Sequence, residues 1–192
     1  NVVALLCAAM TVPYILLYAL YDSSGLWLAI VALSPQIVVY ASTPYFHRFG
    51  PSAAALYFTF SWLAFAVLYC FLFSRDSGLP LYFLAGAAAA MLIFGAQRVY
   101  LSALATVLAL AGFLSASVFF RSPALSAVRP DLLDVIFLLT VPLVFLLIFT
   151  TVYFAFQEAS HAEVALEKEY RFSTRLLENI LPRAIALRLK HR

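Results

Sequence analysis

The sequence predicts an all-α fold: an integral membrane six-helix bundle with a cytoplasmic C-terminal helix extending from the sixth span. Three observations predict it. Of 192 residues, 65% are hydrophobic and 11% are charged, with a mean hydropathy of +0.99. A soluble domain is about half apolar and about a quarter charged, so the excess has no interior to fill and the solvent must be lipid. The apolar residues also fall into six long runs parted by short polar clusters. Each run is apolar all round, whereas a barrel strand alternates polar and apolar residues over about 10 positions.

A bilayer core about 30 Å thick takes about 20 apolar residues per helix. The first run, residues 2–21, ends at the turn cluster Asp22-Ser23-Ser24-Gly25, and the second, 26–45, ends at His47-Arg48-Phe49-Gly50-Pro51. The third, 52–73, is closed by Ser74-Arg75-Asp76-Ser77-Gly78; the fourth, 81–96, breaks only at Gln97-Arg98. The fifth, 99–120, leads into the longest expected loop, 121–134, and the sixth covers 135–156. Residues 1–157 thus form the membrane domain and 158–192 a cytoplasmic coupling helix. The chain opens on Asn1 and stops at Lys190-His191-Arg192 in mid-pattern, so both ends are expected to be limits within a longer protein. Without a basic leader or a cleavage site, the first run is not a signal peptide.

Orientation follows from the basic residues. With six spans both termini share one side, together with Arg48, Arg98 and the seven Lys and Arg residues beyond position 160; Arg75, Arg121 and Arg129 share the other. Nine against three places both termini in the cytoplasm of a cell whose plasma membrane holds the protein.

The spans hold essentially no Asp, Glu, His, Lys or Arg, the groups that ion pathways and proton relays require at membrane depth, which disfavours a pump. Pro13, Pro35 and Pro142 fall inside spans, where membrane helices accommodate them. Ser34-Pro35-Gln36 is the most polar spot in any span. It could line a small pocket, though an interhelical hydrogen bond is the expected role. Cys7 and Cys70 lie in apolar runs and are expected to behave as small hydrophobes. In the fourth run Gly86 and Ala90, four residues apart, allow close helix packing, within the bundle or between two protomers. Asp22, Asp76, Asp131 and Asp134 all fall on the outer face. Were they to converge, they could hold a divalent cation, which prefers carboxylate oxygens; ordinary solvated loop charges paired with Arg75 and Arg129 are the expected state.

Beyond Phe156 the pattern changes. Leu166, Tyr170, Ser173, Leu177 and Ile180 follow the 4-3-4-3 spacing of a heptad seam, and Glu167 and Arg171 form an i,i+4 pair beside it. An amphipathic helix lying on the membrane is the alternative; Glu158, Glu163, Glu167 and Glu169 suit an anionic leaflet poorly and favour a homodimeric seam. Pro182 should bend or end the helix near Leu181. His161, within Ser160-His161-Ala162-Glu163, lacks the downstream proline of a kinase phosphoacceptor box and is expected to be solvated.

The stretch Leu176-Leu177-Glu178-Asn179-Ile180-Leu181-Pro182-Arg183-Ala184-Ile185-Ala186-Leu187-Arg188-Leu189-Lys190 resembles the segment that immediately precedes the catalytic domain of class III nucleotide cyclases. Leu187 departs from the family, which often carries an acidic residue there. With six spans before it, the chain resembles the mycobacterial type of membrane-bound adenylate cyclase, similar to one half of a mammalian membrane adenylyl cyclase. The resemblance implies a further C-terminal domain that converts ATP to cAMP and pyrophosphate, with paired protomers and Mg²⁺ or Mn²⁺. It implies no catalytic residue, cofactor or metal ligand within these 192 residues. The expected partners are the bilayer, a second copy and, for the further domain, ATP, with no nucleic acid. A sensor for a kinase or diguanylate cyclase, or a stand-alone transporter, is the competing assignment.

Overall fold

The structure is a computed structural model that describes residues 2–180, with side chains described for 3–95 and 97–175. Six α-helices account for nearly all of it: α1 (Val2–Asp22), α2 (Trp27–Phe46), α3 (Pro51–Phe73), α4 (Leu81–Phe94), α5 (Val99–Phe119) and α6 (Pro130–Ile180). The chain divides into two compact units, Asn1–Val152 and Tyr153–Arg192.

In the first unit, five helices are long and apolar enough to cross a membrane. Between 22% and 44% of the most apolar stretch of each is buried inside the chain, so most of their apolar surface faces outward. Leu20, Phe49, Leu138, Phe145 and Phe149 are all about 70% exposed or more. Water would penalise such a surface at roughly 25 cal/mol per Å²; hydrocarbon does not.

The fourth helix departs from expectation. Instead of filling 81–96, α4 stops at Phe94, because Gly95 takes φ +74 and leads into a 3₁₀ turn at Ala96–Arg98. Its 14 residues rise only about 21 Å. Its neighbours nevertheless span its whole length. At one end Arg75 N donates to Phe120 O (2.9 Å), and the Arg75 guanidinium donates to Ser117 O (3.1 Å). These bonds hold the C-terminal ends of α3 and α5 together. At the other end Ala55, Ala90, Phe94 and Ala105 form one buried cluster, and Ser102 Oγ donates to Ala90 O (3.1 Å). Thus α3 and α5 run parallel, with α4 antiparallel to both. Successive 3₁₀-type bonds from Leu81, Tyr82 and Phe83 back to Gly78, Leu79 and Pro80 lengthen α4 at its start.

The last helix begins earlier than expected, at Pro130 rather than 135, which shortens the predicted 121–134 loop. Proline suits the first helical position, where its missing N–H would have had no partner. Leu132 N and Leu133 N both donate to Arg129 O, and Asp131 in the first turn complements the helix dipole.

The turns match the expected clusters. Asp22 Oδ1 accepts from Ser24 N, Ser24 Oγ and Gly25 N (3.1, 2.8 and 2.9 Å), closing the link from α1 to α2. After α3, the fully buried Ser74 and Ser77 bond within their own turn: Ser77 Oγ donates to Ser74 O (2.7 Å). Gly78 closes that turn at φ +73, and a Cβ there would meet the Phe137 ring at 2.8 Å. Gly25 abuts Ala127, while Ala124 N and Leu125 N donate to Phe71 O and Leu72 O. One end of the bundle therefore gathers the α1–α2 turn, the α3–α4 turn and the loop before α6.

In the second unit, residues from Tyr153 to Ile180 are helical and the described side chains are almost all exposed. The expected Glu167–Arg171 pair forms at 2.6 Å. Leu166, Tyr170 and Ser173 are exposed along this helix; the Leu177 and Ile180 side chains and Pro182 lie outside the described residues.

Candidate functional site: a tyrosine-lined cavity

Small residues bring the helices close enough to create the site. A Cβ on Gly86 would collide with the Trp62 ring, so the missing side chain is what admits Trp62 of α3 against α4. Gly112 does the same for Phe83 between α5 and α4. Gly86 thus packs inside the bundle against Trp62, and Ala90 joins the buried cluster with Ala55, Phe94 and Ala105. Trp62 and Phe83 meet edge-on with centroids 6.0 Å apart.

Beside this contact lies a cavity of about 60 Å³. Helix α1 contributes Tyr14 and Tyr18, α2 Gln36 and Tyr40, α3 Trp62 and Tyr69, and Tyr82 comes from α4. Met10, Leu33, Ala66 and Leu79 supply apolar wall, and Cys7 and Thr11 complete it. Every lining group is neutral: the lining contains no Asp, Glu, His, Lys or Arg.

The hydroxyls are of two kinds. Some tie helices together. Tyr14 Oη lies 2.8 Å from Thr140 Oγ1 and 3.1 Å from Tyr82 Oη, linking α1, α6 and α4. Tyr69 Oη donates to Ala32 O of α2 at 3.1 Å. Tyr40 differs. It is 1% exposed, with its ring against Phe58 and Phe65, and the polar neighbour of its hydroxyl is the Gln36 side chain of its own helix, not one across the bundle. One turn earlier on α2, Gln36 Oε1 is buried and makes no close hydrogen bond. A buried polar group left unsatisfied costs about 1–3 kcal/mol, which marks this pair as the cavity's polar end.

The expected interhelical hydrogen bond at Ser34-Pro35-Gln36 is therefore corrected in favour of the pocket. Ser34 Oγ bonds back to Ile30 O within its own helix (2.9 Å), and Gln36 faces the cavity. The tyrosines were missed. A readable signal existed: interfacial tyrosines belong at helix ends, whereas Tyr14 and Tyr40 sit well inside α1 and α2. Cys7 and Cys70 are buried free thiols, and His161 is exposed.

Three of the four candidate aspartates have local partners. Asp22 closes its turn, Asp76 pairs with Arg75 at 3.5 Å, and Asp131 pairs with Arg129 at 3.4 Å. Asp131 and Asp134 stand on α6 instead of in a loop, because the helix starts at Pro130. Among the described residues, no three Asp, Glu, His or Cys are grouped so as to hold a metal ion.

A helical bundle with outward apolar faces defines a multi-pass membrane protein. Residues 1–170 match the MASE7 family model, and the chain belongs to that family of membrane-associated sensor domains. It is 30% identical, over 192 residues and 99% of its length, to proteins named adenylate cyclase from Mycobacterium bovis and from two strains of Mycobacterium tuberculosis. The chain spans 42% of the length of those relatives.

Proposed function

We propose that this chain is the membrane sensor and coupling region of a homodimeric adenylate cyclase in the plasma membrane, with both termini cytoplasmic. In the whole protein a following domain would convert ATP to cAMP and pyrophosphate using Mg²⁺ or Mn²⁺. One observation carries the reading: the 30% identity runs through 99% of the chain, exit helix included, to proteins named adenylate cyclase. In this reading ATP and metal bind the further domain. This chain's own residues anchor, pair and transmit.

Sidedness rests on charge. Arg48 and Arg98 occupy turns at the end of the bundle opposite Arg75, Arg121 and Arg129, and an even number of spans would put all seven remaining Lys and Arg residues of the sequence on the Arg48 side. Pairing is supported by Leu166, Tyr170 and Ser173, apolar or small residues left exposed at heptad spacing.

The test is direct. Membranes bearing the whole protein should form cAMP from ATP with Mg²⁺ or Mn²⁺, and substituting Leu166→Glu should lower that rate severalfold while expression holds. Absence of any ATP-dependent cAMP from a well-expressed, correctly inserted protein sinks the cyclase assignment.

A further inference from the structure

We propose that the cavity among α1–α4 is a binding site for the head group of a neutral amphiphile, anchored by the Gln36 amide and the Tyr40 hydroxyl. This deepens the sensor reading by naming a ligand class, and it rests on that reading only for what binding would signal.

Four observations limit the ligand. The volume, about 60 Å³, is several times the roughly 10–15 Å³ that one enclosed water needs. It has room for a head of a few heavy atoms. The lining has no charged residue, and an ion buried without a partner is strongly disfavoured, so the head is neutral. Tyr40 Oη and Gln36 Oε1 are buried, make no close hydrogen bond and have only each other's side chains beside them on α2. A hydroxyl or amide head, which both donates and accepts, would satisfy them where a pure hydrocarbon would leave both uncompensated. Finally, the helices that wall the cavity present apolar surface outward, with Leu16, Val31 and Val38 each more than half exposed. A tail continuous with the head has hydrocarbon to lie in.

The same head chemistry exists on short soluble alcohols, and chain length separates the two sources. The whole protein in nanodiscs is irradiated with a diazirine derivative of octanol, and the labelled residues are mapped by mass spectrometry. Labelling of the cavity tyrosines should saturate, whereas labelling of lipid-facing Tyr100 (70% exposed) should rise linearly. Octanol should compete and ionised octanoate should not. Gln36→Leu and Tyr40→Phe should each raise the half-saturating concentration about three- to tenfold, the equivalent of one neutral hydrogen bond. Ala66→Leu, which fills the cavity, should abolish saturation.

Several results would overturn the proposal. Linear labelling of the cavity tyrosines, equal competition by octanoate, or indifference to both anchor substitutions in a protein of unchanged melting temperature would each do so. Equal competition by propanol, compared at matched bilayer concentration, would overturn the amphiphile source. None of these readouts requires cyclase activity, so failure here is distinguishable from failure of the cyclase assignment.

Discussion

At the scale of single residues, two tyrosines one helix apart should respond unequally to the same change. Tyr69 donates to Ala32 O, so Tyr69→Phe should destabilise the bundle by about 0.5–1.5 kcal/mol. Tyr40 has a buried hydroxyl whose polar neighbour is Gln36 of its own helix, so Tyr40→Phe breaks no tie between helices and should cost less than Tyr69→Phe. Thermal unfolding in one detergent compares the two; a larger loss for Tyr40→Phe would contradict the assignment of its hydroxyl. Gly86 is constrained sterically. With the Trp62 ring where a Cβ would stand, Gly86→Ala should cost about 1–3 kcal/mol through overpacking. Adding Trp62→Phe, which shortens the opposing ring, should recover part of that loss. Additive effects in the double variant would show that the two positions do not touch.

At the scale of elements, α4 and α6 carry the argument. The 14 residues of α4 suffice because 3₁₀ turns extend both ends and because α3 and α5 hold it along its length. Inserting one alanine after Ala88 should rotate its C-terminal half by about 100°, pulling Ala90 from its buried cluster and lowering the melting temperature sharply. For α6, the seam predicts proximity between copies. In a background lacking Cys7 and Cys70, a cysteine replacing Leu166 should crosslink protomers in membranes severalfold faster than one replacing Lys168, which lies about 200° around the helix. Equal rates at the two positions would remove the seam.

At the scale of the whole molecule, the prediction is sidedness. The α1–α2 turn, the α3–α4 turn and the loop before α6 share one end of the bundle, and the turns bearing Arg48 and Arg98 share the other. Cysteines replacing Asp76 and Ser122 should react with an impermeant maleimide added outside cells. Those replacing Arg48 and Gln97 should react only after permeabilisation. Mixed accessibility within either set would break the proposed topology.

Sequence alone determined the membrane class, the helical state and the turn positions. Those properties depend on local quantities: the length of an apolar run, a Gly or Pro at its end, a cluster such as Asp22-Ser23-Ser24-Gly25. It also fixed the Glu167–Arg171 pair, since i,i+4 neighbours meet on any helix. Two boundaries were less legible, because Gly95 and Pro130 act through backbone geometry that hydropathy does not register. Tertiary structure alone decided the cavity. Tyr14, Tyr40, Tyr69 and Tyr82 come from four helices, and nothing in their local sequence says which faces turn together. Only packing, set by Gly86 against Trp62 and Gly112 against Phe83, brings those hydroxyls, with Gln36 beside Tyr40, into one space.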